Sequence, residues 1–216
     1  MCKKILWNDL ETGGTDPQVH AVLQIAAVIE IDGEIVDQFE SKVRPFPGKI
    51  ATDEALEVTG FTREEIETFP KPTEVMQRFD SFLARHGQRK NKAERYIMAG
   101  YNNGFDNDFL SQWYADITGG PYAYWDFLQF SPIDPLPICR AMRMAGIIDT
   151  PDTKLGTLCN YFGIPIKAHD ALSDVLATRE LTHKVYGDLF TAFKGTPWGI
   201  LGVGYENKET PRTVNA

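Results

Sequence analysis

The first part of the chain alternates apolar runs with turn residues, a pattern that predicts a sheet. An apolar run at Lys3–Asp9 indicates a short buried strand. Two further runs, Val22–Ile31 and Ile35–Val43, are separated by the pair Asp32-Gly33. Asp-Gly between two apolar runs is a strong signal for a two-residue hairpin. We therefore predict three opening strands, with the second and third antiparallel.

After the hairpin, apolar residues recur with the period of a helix. Thr62 and Glu65 have the spacing of a capping box at the start of a short helix. Longer stretches with helical periodicity, most of them bounded by Gly or Pro, are Thr73–Arg85, Phe105–Ile117, Leu136–Ala145, Lys154–Phe162 and Asp170–Phe190. One more strand is predicted at Tyr96–Tyr101. Strands followed by alternating strands and helices indicate a mixed α/β sheet covered by helices.

Two connecting segments have an unusual composition. Gln88–Arg95 contains four cations against a single acid. We interpret it first as a solvated loop, and second as a basic finger that touches a phosphate backbone. Tyr122–Phe130 is rich in aromatic residues. A cluster that caps the core is a more frequent explanation for such a segment than a platform that stacks on bases.

Length and composition set the class of protein. A chain of 216 residues fits one domain with a tail, and we place the domain at 1–194. Residues 195–216 contain Gly, Pro and Thr with little periodicity, so we predict an irregular C-terminal tail. With 43% hydrophobic and 24% charged residues, the chain is neither disordered nor fibrous.

Charge and cysteine usage narrow the function further. Lys and Arg number 22 against 30 Asp and Glu, so the net charge of −8 excludes a large non-specific footprint on duplex nucleic acid. Cys2, Cys139 and Cys159 form no C-x-x-C pair, so neither a disulfide framework nor a cysteine zinc site is supported. The chain shows no signal-peptide core and no apolar run of membrane-spanning length. We therefore predict a cytoplasmic protein without a membrane span.

The first candidate for chemistry is an acidic pair at the end of the first strand. Asp9 and Glu11 are two residues apart, so both carboxylates point to the same face of the sheet. A bound cation relieves the repulsion between two such groups, and oxygen ligands suit Mg²⁺ or Mn²⁺. Gly13-Gly14 follow directly and let the chain approach a ligand closely.

Two later clusters place further acids at helix starts. Asp106 stands at a strand-to-helix junction, whereas Asp108 fits the simpler role of complementing a helix dipole. His169 precedes the last long helix, Asp170 is a plausible N-cap, and Asp174 lies about one turn inside. Taken singly, a lone histidine or a lone aspartate at a helix start is usually structural.

Together the three clusters resemble a known family. The order D-x-E, then F-D-x-x-F-L, then H-x-x-x-x-D is similar to the three exonuclease motifs of the DnaQ-like DEDDh 3′–5′ exonuclease family. The resemblance spans about residues 5–189 and includes Thr59–Thr62, Ile133-Asp134 and the Lys154–Leu158 segment. Tyr101-Asn102-Asn103 resembles the exonuclease I branch of that family.

The resemblance implies a ribonuclease-H-like fold, a mixed five-stranded sheet flanked by helices. It also implies a site that holds two Mg²⁺ (or Mn²⁺) ions, with His169 as the general base. The implied metal-binding carboxylates are Asp9, Glu11, Asp106 and Asp174. The candidate substrate contacts are Thr12, Gly14, Asn102 and Phe105.

This sequence departs from the family pattern at two places. The family's side chain that wedges against the terminal base is missing, because position 13 is glycine. Many members have His-Asn where this chain has Tyr101-Asn102. Both departures concern the choice of substrate and leave the chemistry in place.

The function implied is a metal-dependent 3′–5′ exonuclease that acts mainly on single-stranded DNA in repair or proofreading and releases nucleoside 5′-monophosphates. One alternative is a 3′–5′ exoribonuclease. Another is a catalytically silent module that holds 3′ ends or a polymerase partner, and the plainest is an α/β domain with scattered acids. The expected partners are single-stranded DNA, or RNA in the alternative, and a polymerase or other replication protein. The sequence leaves the oligomeric state open.

Overall fold

The computed structural model describes residues 4–167 and 170–192, apart from the side chains of 121–122, 130–131 and 188–192. The strands are β1 (Lys4–Thr12), β2 (Val22–Ile31), β3 (Glu34–Lys42), β4 (Tyr96–Ala99) and β5 (Leu128–Ile133). The helices are α1 (Asp53–Thr59), α2 (Arg63–Thr68), α3 (Pro72–His86), α4 (Asn103–Thr118), α5 (Leu136–Met144), α6 (Leu155–Phe162) and α7 (Ala171–Ala192). Short 3₁₀ turns cover Lys92–Glu94 and Pro121–Asp126.

The predicted hairpin is confirmed. Asp32 and Gly33 both have positive φ, at 51° and 94°, and Ile31 pairs with Glu34 across the turn. Positive φ at both central residues gives the turn a twist that matches two antiparallel strands. Gly adopts positive φ without steric cost and Asp tolerates the left-handed region, which explains why Asp-Gly marks this position.

The strands form one mixed sheet in the order β3-β2-β1-β4-β5. β1 is antiparallel to β2 and parallel to β4, and β4 is parallel to β5. This confirms the predicted mixed five-stranded sheet flanked by helices. The sequence pattern did not locate the fifth strand, because Pro132 reads as a break. The strand is tolerated there since β5 lies at the edge, where a residue without an N–H loses no inner hydrogen bond.

The two faces of the sheet pack against different helices. Alternation in β1 sends Leu6 and Leu10 into the main core with α3 and α4. Trp7 points the other way and packs with Ala171 and Val175 at the start of α7. Asp9 and Glu11, at the end of β1, are therefore on the same face as Trp7, under α7.

Helix ends follow the sequence signals closely. The Thr62 hydroxyl accepts from the Glu65 amide while the Glu65 carboxylate accepts from the Thr62 amide, so the capping box is confirmed. α3 ends at Gly87, and α4 ends at Gly119, whose φ of 76° is left-handed. α1 was not predicted from the sequence. The predicted tail at 195–216 lies outside the described residues.

The aromatic segment belongs partly to the core. Tyr124 and Phe127 are buried at 1% and 3% exposure and pack in the main cluster. This supports the core interpretation for these residues. Tyr122 and Phe130, from the same segment, have side chains outside the described part.

The basic loop lies at the amino ends of β1 and β4. Arg89 donates to Asp126 at 2.7 Å and to Asp80 at 3.3 Å, and Lys4 pairs with Glu94. Asp9 is five residues further along β1 than Lys4, so the loop and the acidic pair are at opposite ends of the sheet. This placement favours the solvated-loop interpretation. Within the described ranges, no helix has the length and apolarity needed to cross a membrane.

Candidate active site

The acidic pair lies at the carboxyl end of β1. Asp9 pairs with Ala26 and Glu11 with Gln24 across the β1–β2 ladder, so both carboxylates are on the face that α7 covers. The register shifts between Glu11 and Thr12, and Thr12 pairs with Val22. Both acidic side chains are half-buried. The predicted same-face arrangement is therefore present.

Asp106 reaches the same place from the first turn of α4. It is buried, at 4% exposure, and its Oδ1 accepts a hydrogen bond from the Leu10 amide at 3.0 Å. Leu10 lies between Asp9 and Glu11 in β1. A backbone bond to that residue fixes the Asp106 carboxylate beside the acidic pair.

The start of α4 is held by a carboxylate that the predicted site did not include. Asp134 accepts from the backbone amides of Asn102 at 3.2 Å, Asn103 at 3.1 Å and Leu136 at 2.9 Å. It thereby caps the first amides of two helices. The sequence marked Ile133-Asp134 only as part of a family segment, without a role for the carboxylate.

A buried amide pair makes a second link between β1 and α4. Asn103 Nδ2 donates to Asn8 Oδ1 at 3.2 Å, and the two residues are 0% and 1% exposed. Gly100 lies so close that a Cβ there would be 2.5 Å from Asn103 Nδ2. Among the described residues, Asn8 Nδ2 and Asn103 Oδ1 have no hydrogen-bond partner. Nothing in the sequence pattern indicated this pair.

Asp174 comes from the first turn of α7. The Asp170 carboxylate accepts from the Ser173 amide at 3.1 Å, which confirms the predicted N-cap. The Asp174 amide donates to the Asp170 carbonyl at 2.9 Å. His169 lies outside the described residues.

The four carboxylates act on one another electrostatically. Burial raises the pKa of Asp9 well above its ordinary value, and the negative charges of Asp106, Glu11 and Asp174 raise it further. Burial also raises the pKa of Asp106, although bonds from backbone amides oppose the shift. Glu11 and Asp134 add to the rise at Asp106. The structure therefore brings the four predicted acids into one cluster of like charge.

The donor set fits a hard cation. Carboxylate oxygens are the ligands that Mg²⁺ and Mn²⁺ prefer, and a cation removes the repulsion that raises these pKa values. Among residues 4–167 and 170–192, no three His, Cys, Asp or Glu side chains are placed so that they could hold a metal ion together. The fit therefore rests on the chemistry and mutual charge of the donors.

The glycines after the acidic pair are in close packing. The Thr12 hydroxyl donates to the Gly14 carbonyl at 2.8 Å, and a Cβ on Gly14 would be 2.6 Å from the His20 ring. A Cβ on Gly13 would be 2.5 Å from the Ile50 carbonyl oxygen. The missing wedge side chain at position 13 thus has a physical reason, because the backbone at Ile50 fills its place.

The other two candidate substrate contacts differ in accessibility. Asn102 is exposed and adopts a left-handed conformation, with φ of 56°, immediately before α4. Phe105 is half-buried, and its ring packs on Phe109 with centroids 4.8 Å apart. Of the two side chains, that of Asn102 is the more accessible to a ligand.

Known proteins and a family model match most of this chain. The RNase_T exonuclease family model matches residues 6–182. The chain is 28% identical over 178 residues to the PolC-type DNA polymerase III of Thermotoga petrophila, covering 80% of this chain and 11% of the polymerase. It is 28% identical over 186 residues to ribonuclease T of Photorhabdus laumondii, covering 80% of this chain and 79% of that protein.

A solved structure resembles the fold over most of the chain. Exonuclease I of E. coli, in complex with a dT13 oligonucleotide, superposes with a TM-score of 0.69 at 24% identity. The match covers 89% of this chain and 43% of exonuclease I. The present chain thus spans about a tenth of the PolC-type polymerases and less than half of exonuclease I. The likeness confirms the predicted ribonuclease-H-like fold.

Proposed function

Because the chain belongs to the DnaQ-like exonuclease family, we propose that it is a metal-dependent 3′–5′ exonuclease that acts mainly on single-stranded DNA. The observation that carries this proposal is the cluster of Asp9, Glu11, Asp106 and Asp174 at the carboxyl end of β1. Four carboxylates held together in a half-buried position are costly unless cations bind among them. A phosphodiesterase that uses two cations needs such a set.

The four carboxylates would hold two Mg²⁺ or Mn²⁺ ions. When bound, such ions activate water, neutralise the phosphate and stabilise the leaving 3′ oxygen. The chain's own part is to hold the donors in place. Asp106 is fixed to β1 through the Leu10 amide, and the start of α4 is fixed through Asp134.

We assign His169 as the general base. A water oxygen attacks the terminal phosphorus, and the water proton passes to the imidazole. The bond to the 3′ oxygen of the preceding nucleotide breaks, and that oxygen takes a proton from solvent water to become a 3′-hydroxyl. A neutral imidazole is well matched to this transfer near pH 7. The product is a nucleoside 5′-monophosphate. His169 directly precedes Asp170, the residue that caps α7, so it is close in the chain to Asp174.

Single-stranded DNA is the favoured substrate for two reasons. The structural neighbour exonuclease I is solved with dT13, and the PolC-type relatives are DNA polymerases. With a net charge of −8, the protein has little electrostatic attraction for the phosphate backbone of a duplex. We further propose that the protein acts in replication or repair, in the cytoplasm, with a polymerase or other replication protein as a partner. The polymerase relatives support the replication role.

The second candidate substrate is RNA. Ribonuclease T matches over 79% of its own length, whereas the polymerases match over 11%. Matched DNA and RNA oligonucleotides of one sequence, each labelled at the 5′ end, decide between them. We expect a ladder of labelled products shortened from the 3′ end, faster for DNA, and no products after chelation of divalent ions.

Two controls separate an exonuclease from other activities. A 3′-phosphate should block degradation, and a circular single strand should resist it because a circle has no end. Attack on the circle at the linear rate would contradict the proposal. Tight binding of 3′ ends without any cleavage, at saturating Mn²⁺, would instead support the silent binding module.

A further inference from the structure

A second buried carboxylate lies beneath α7, away from the acidic cluster. The Glu30 side chain on β2 is 2% exposed. Its Oε2 accepts from Arg179 Nε at 2.6 Å and from Trp7 Nε1 at 3.0 Å, and His183 Nε2 lies 3.4 Å away. One oxygen thus connects β2, β1 and two successive turns of α7.

The surroundings of Glu30 keep it ionised. Burial alone would raise the pKa of Glu30, but hydrogen bonds from His183 and Arg179, together with their positive charge, lower it below its ordinary value. A buried carboxylate with this many donors holds them in a defined geometry, because breaking one contact leaves a charge without compensation.

Arg179 also makes a second connection. One terminal nitrogen donates to the Gly33 carbonyl at 2.8 Å, in the turn between β2 and β3. The planar guanidinium therefore fixes α7 to a strand and to a hairpin turn at the same time. A fork of donors specifies direction as well as distance, which a lysine at this position would not do.

The start of α7 packs on the sheet face through apolar side chains. Ala171 and Val175 pack there on Ala26, Val28 and Ala99, all small or β-branched. Such contacts are non-directional, so they favour burial without fixing the position of the helix along its own axis. The Glu30–Arg179 contact adds a directional attachment to the sheet, and the Tyr186 hydroxyl adds one to the Asp134 carbonyl at 3.2 Å.

We propose that Glu30 and Arg179 are positioning residues that set the place of α7 on the sheet and thereby the place of the Asp174 carboxylate. The inference rests on the role proposed above for Asp174. Arg179 follows Asp174 by five residues, about 7.5 Å along the helix axis. A helix segment of that length moves as a unit, and a displacement of about 1 Å at a reacting centre can cost about 10²-fold in rate.

The central experiment is a double-mutant cycle between Arg179→Met and Asp174→Asn. Methionine keeps most of the apolar stem of Arg179 and removes its donors. We expect Arg179→Met to lower the single-turnover rate by about 10–100-fold and to weaken Mn²⁺ binding, measured by calorimetry, by about 10-fold. The KM for a single-stranded oligonucleotide should stay within about two-fold, and Arg179→Lys should recover part of the rate.

The cycle separates positioning from stability. If Arg179 acts through Asp174, adding Arg179→Met to Asp174→Asn should cause little further loss of rate or Mn²⁺ affinity. A role in stability alone predicts that the two losses add in full. Arg85→Met is the matched control, because it removes the exposed Arg85–Asp37 contact of 2.7 Å between α3 and β3. That variant should match the parent in both measurements.

Two results would overturn the proposal. One is a folded Arg179→Met protein with parental rate and parental Mn²⁺ affinity, and the other is full additivity with Asp174→Asn. If Arg179→Met does not fold, Arg179→Lys takes its place in the same cycle with the same criteria. Crystal structures of parent and variant measure the position of α7 directly, without metal or substrate. If the parent degrades no nucleic acid, the proposed function fails, and an unshifted α7 in the variant would separately refute the positioning role.

Discussion

Two carboxylates on the same face of the sheet have opposite surroundings. Asp9 on β1 has the negative charges of Asp106, Glu11 and Asp174 around it, and its pKa is raised by burial and by those charges. Glu30 on β2 has donors from Trp7, Arg179 and His183, and its pKa is lowered although it is also buried. α7 covers both positions.

This difference distinguishes a carboxylate with a structural role, Glu30, from a carboxylate with a proposed functional role, Asp9. The Glu30 site is complete within the chain, because its donors come from the protein itself. Around Asp9, the neighbours that raise its pKa are themselves acids, and the proposed function has cations bind among them. Clusters of acids with raised pKa values are typical of functional sites. The same logic predicts opposite effects when each carboxylate is removed.

The largest expected effect is the loss of activity in Asp9→Asn. We expect nuclease activity to fall by about 10³–10⁵-fold, the range seen when a group that stabilises phosphoryl charge is removed. The metal-free variant should nevertheless unfold at a higher temperature than the parent, because it lacks one member of a repelling cluster. Single-turnover assays and thermal unfolding in chelator measure the two effects.

Glu30→Gln is the matching variant at the other carboxylate, and it tests whether the two carboxylates differ in their effect on stability. It should lower the unfolding midpoint, because Arg179 loses its buried counter-charge. If Asp9→Asn and Glu30→Gln shift the midpoint in the same direction, the two carboxylates do not differ as described. If folded Asp9→Asn degrades DNA at the parental rate, Asp9 has no role in metal binding.

The next effect in size concerns His169. His169→Ala should lose about 10²–10⁴-fold in rate, the usual cost of removing a general base, while Mn²⁺ binding is retained. In the parent, the rate should rise with pH as the imidazole loses its proton, because only the neutral form accepts one from water. Single-turnover rates of parent and variant against pH, at saturating metal, measure both the size of the rate loss and the acid limb of the pH–rate profile.

His86→Ala is a suitable control for that measurement. Its ring lies 3.1 Å from Asp37 on the far edge of the sheet, so the rate should stay close to the parental value. An unchanged acid limb in His169→Ala would assign the proton transfer to another group.

The sequence predicted most of the local structure, because local signals there are strong. The Asp32-Gly33 hairpin and the Thr62 capping box depend only on neighbouring residues, and both are present. β5 was missed since Pro132 is tolerated only by its edge position, which the sequence does not reveal. α1 was missed too, although Thr52 caps its first turn.

In the candidate site too, local patterns could be predicted from the sequence and long-range contacts could not. The spacing of Asp9 and Glu11 in one strand indicated a shared face, and motif order brought in Asp106 and Asp174. The supporting contacts could not be predicted, because they join residues far apart in the chain. Asn8 and Asn103 are separated by 95 positions, and Glu30 and Arg179 by 149. The position of Gly13 against Ile50 is equally invisible to a sequence pattern.

A smaller effect should appear in the pH dependence of stability. Asp9 and Asp106 have raised pKa values, so the folded metal-free protein binds more protons than the unfolded chain above their ordinary range. The stability of the metal-free protein should therefore fall as pH rises through the raised values, and Mn²⁺ should restore it near neutrality. Each 1 kcal/mol of change moves the midpoint by about 2–4 °C for a chain of this size.

Glu30 should give the opposite slope in the same experiment. Its pKa is lowered, so its stabilising contribution is present above its ordinary value and is lost as pH falls through the lowered one. Glu30→Gln should remove the loss of stability at acidic pH and should leave the loss of stability toward neutral pH. Asp9→Asn should reduce only the loss of stability toward neutral pH. Identical profiles for parent and both variants would contradict the assigned shifts.

The smallest effect is expected from the basic loop, which tests whether distance limits charge effects in this fold. Lys90 and Lys92 lie at the amino ends of β1 and β4, beyond Lys4. The five residues from Lys4 to Asp9 span about 17 Å of strand. At 0.15 M salt the screening length is about 8 Å, so these charges act only weakly on a substrate at the carboxylates. Replacing both lysines by glutamine should leave kcat/KM on a short oligonucleotide within about two-fold at this ionic strength. A loss of kcat/KM above about five-fold that disappears at high salt would show instead that the nucleic-acid strand reaches the loop. That result would support the interpretation of Gln88–Arg95 as a basic finger on the phosphate backbone.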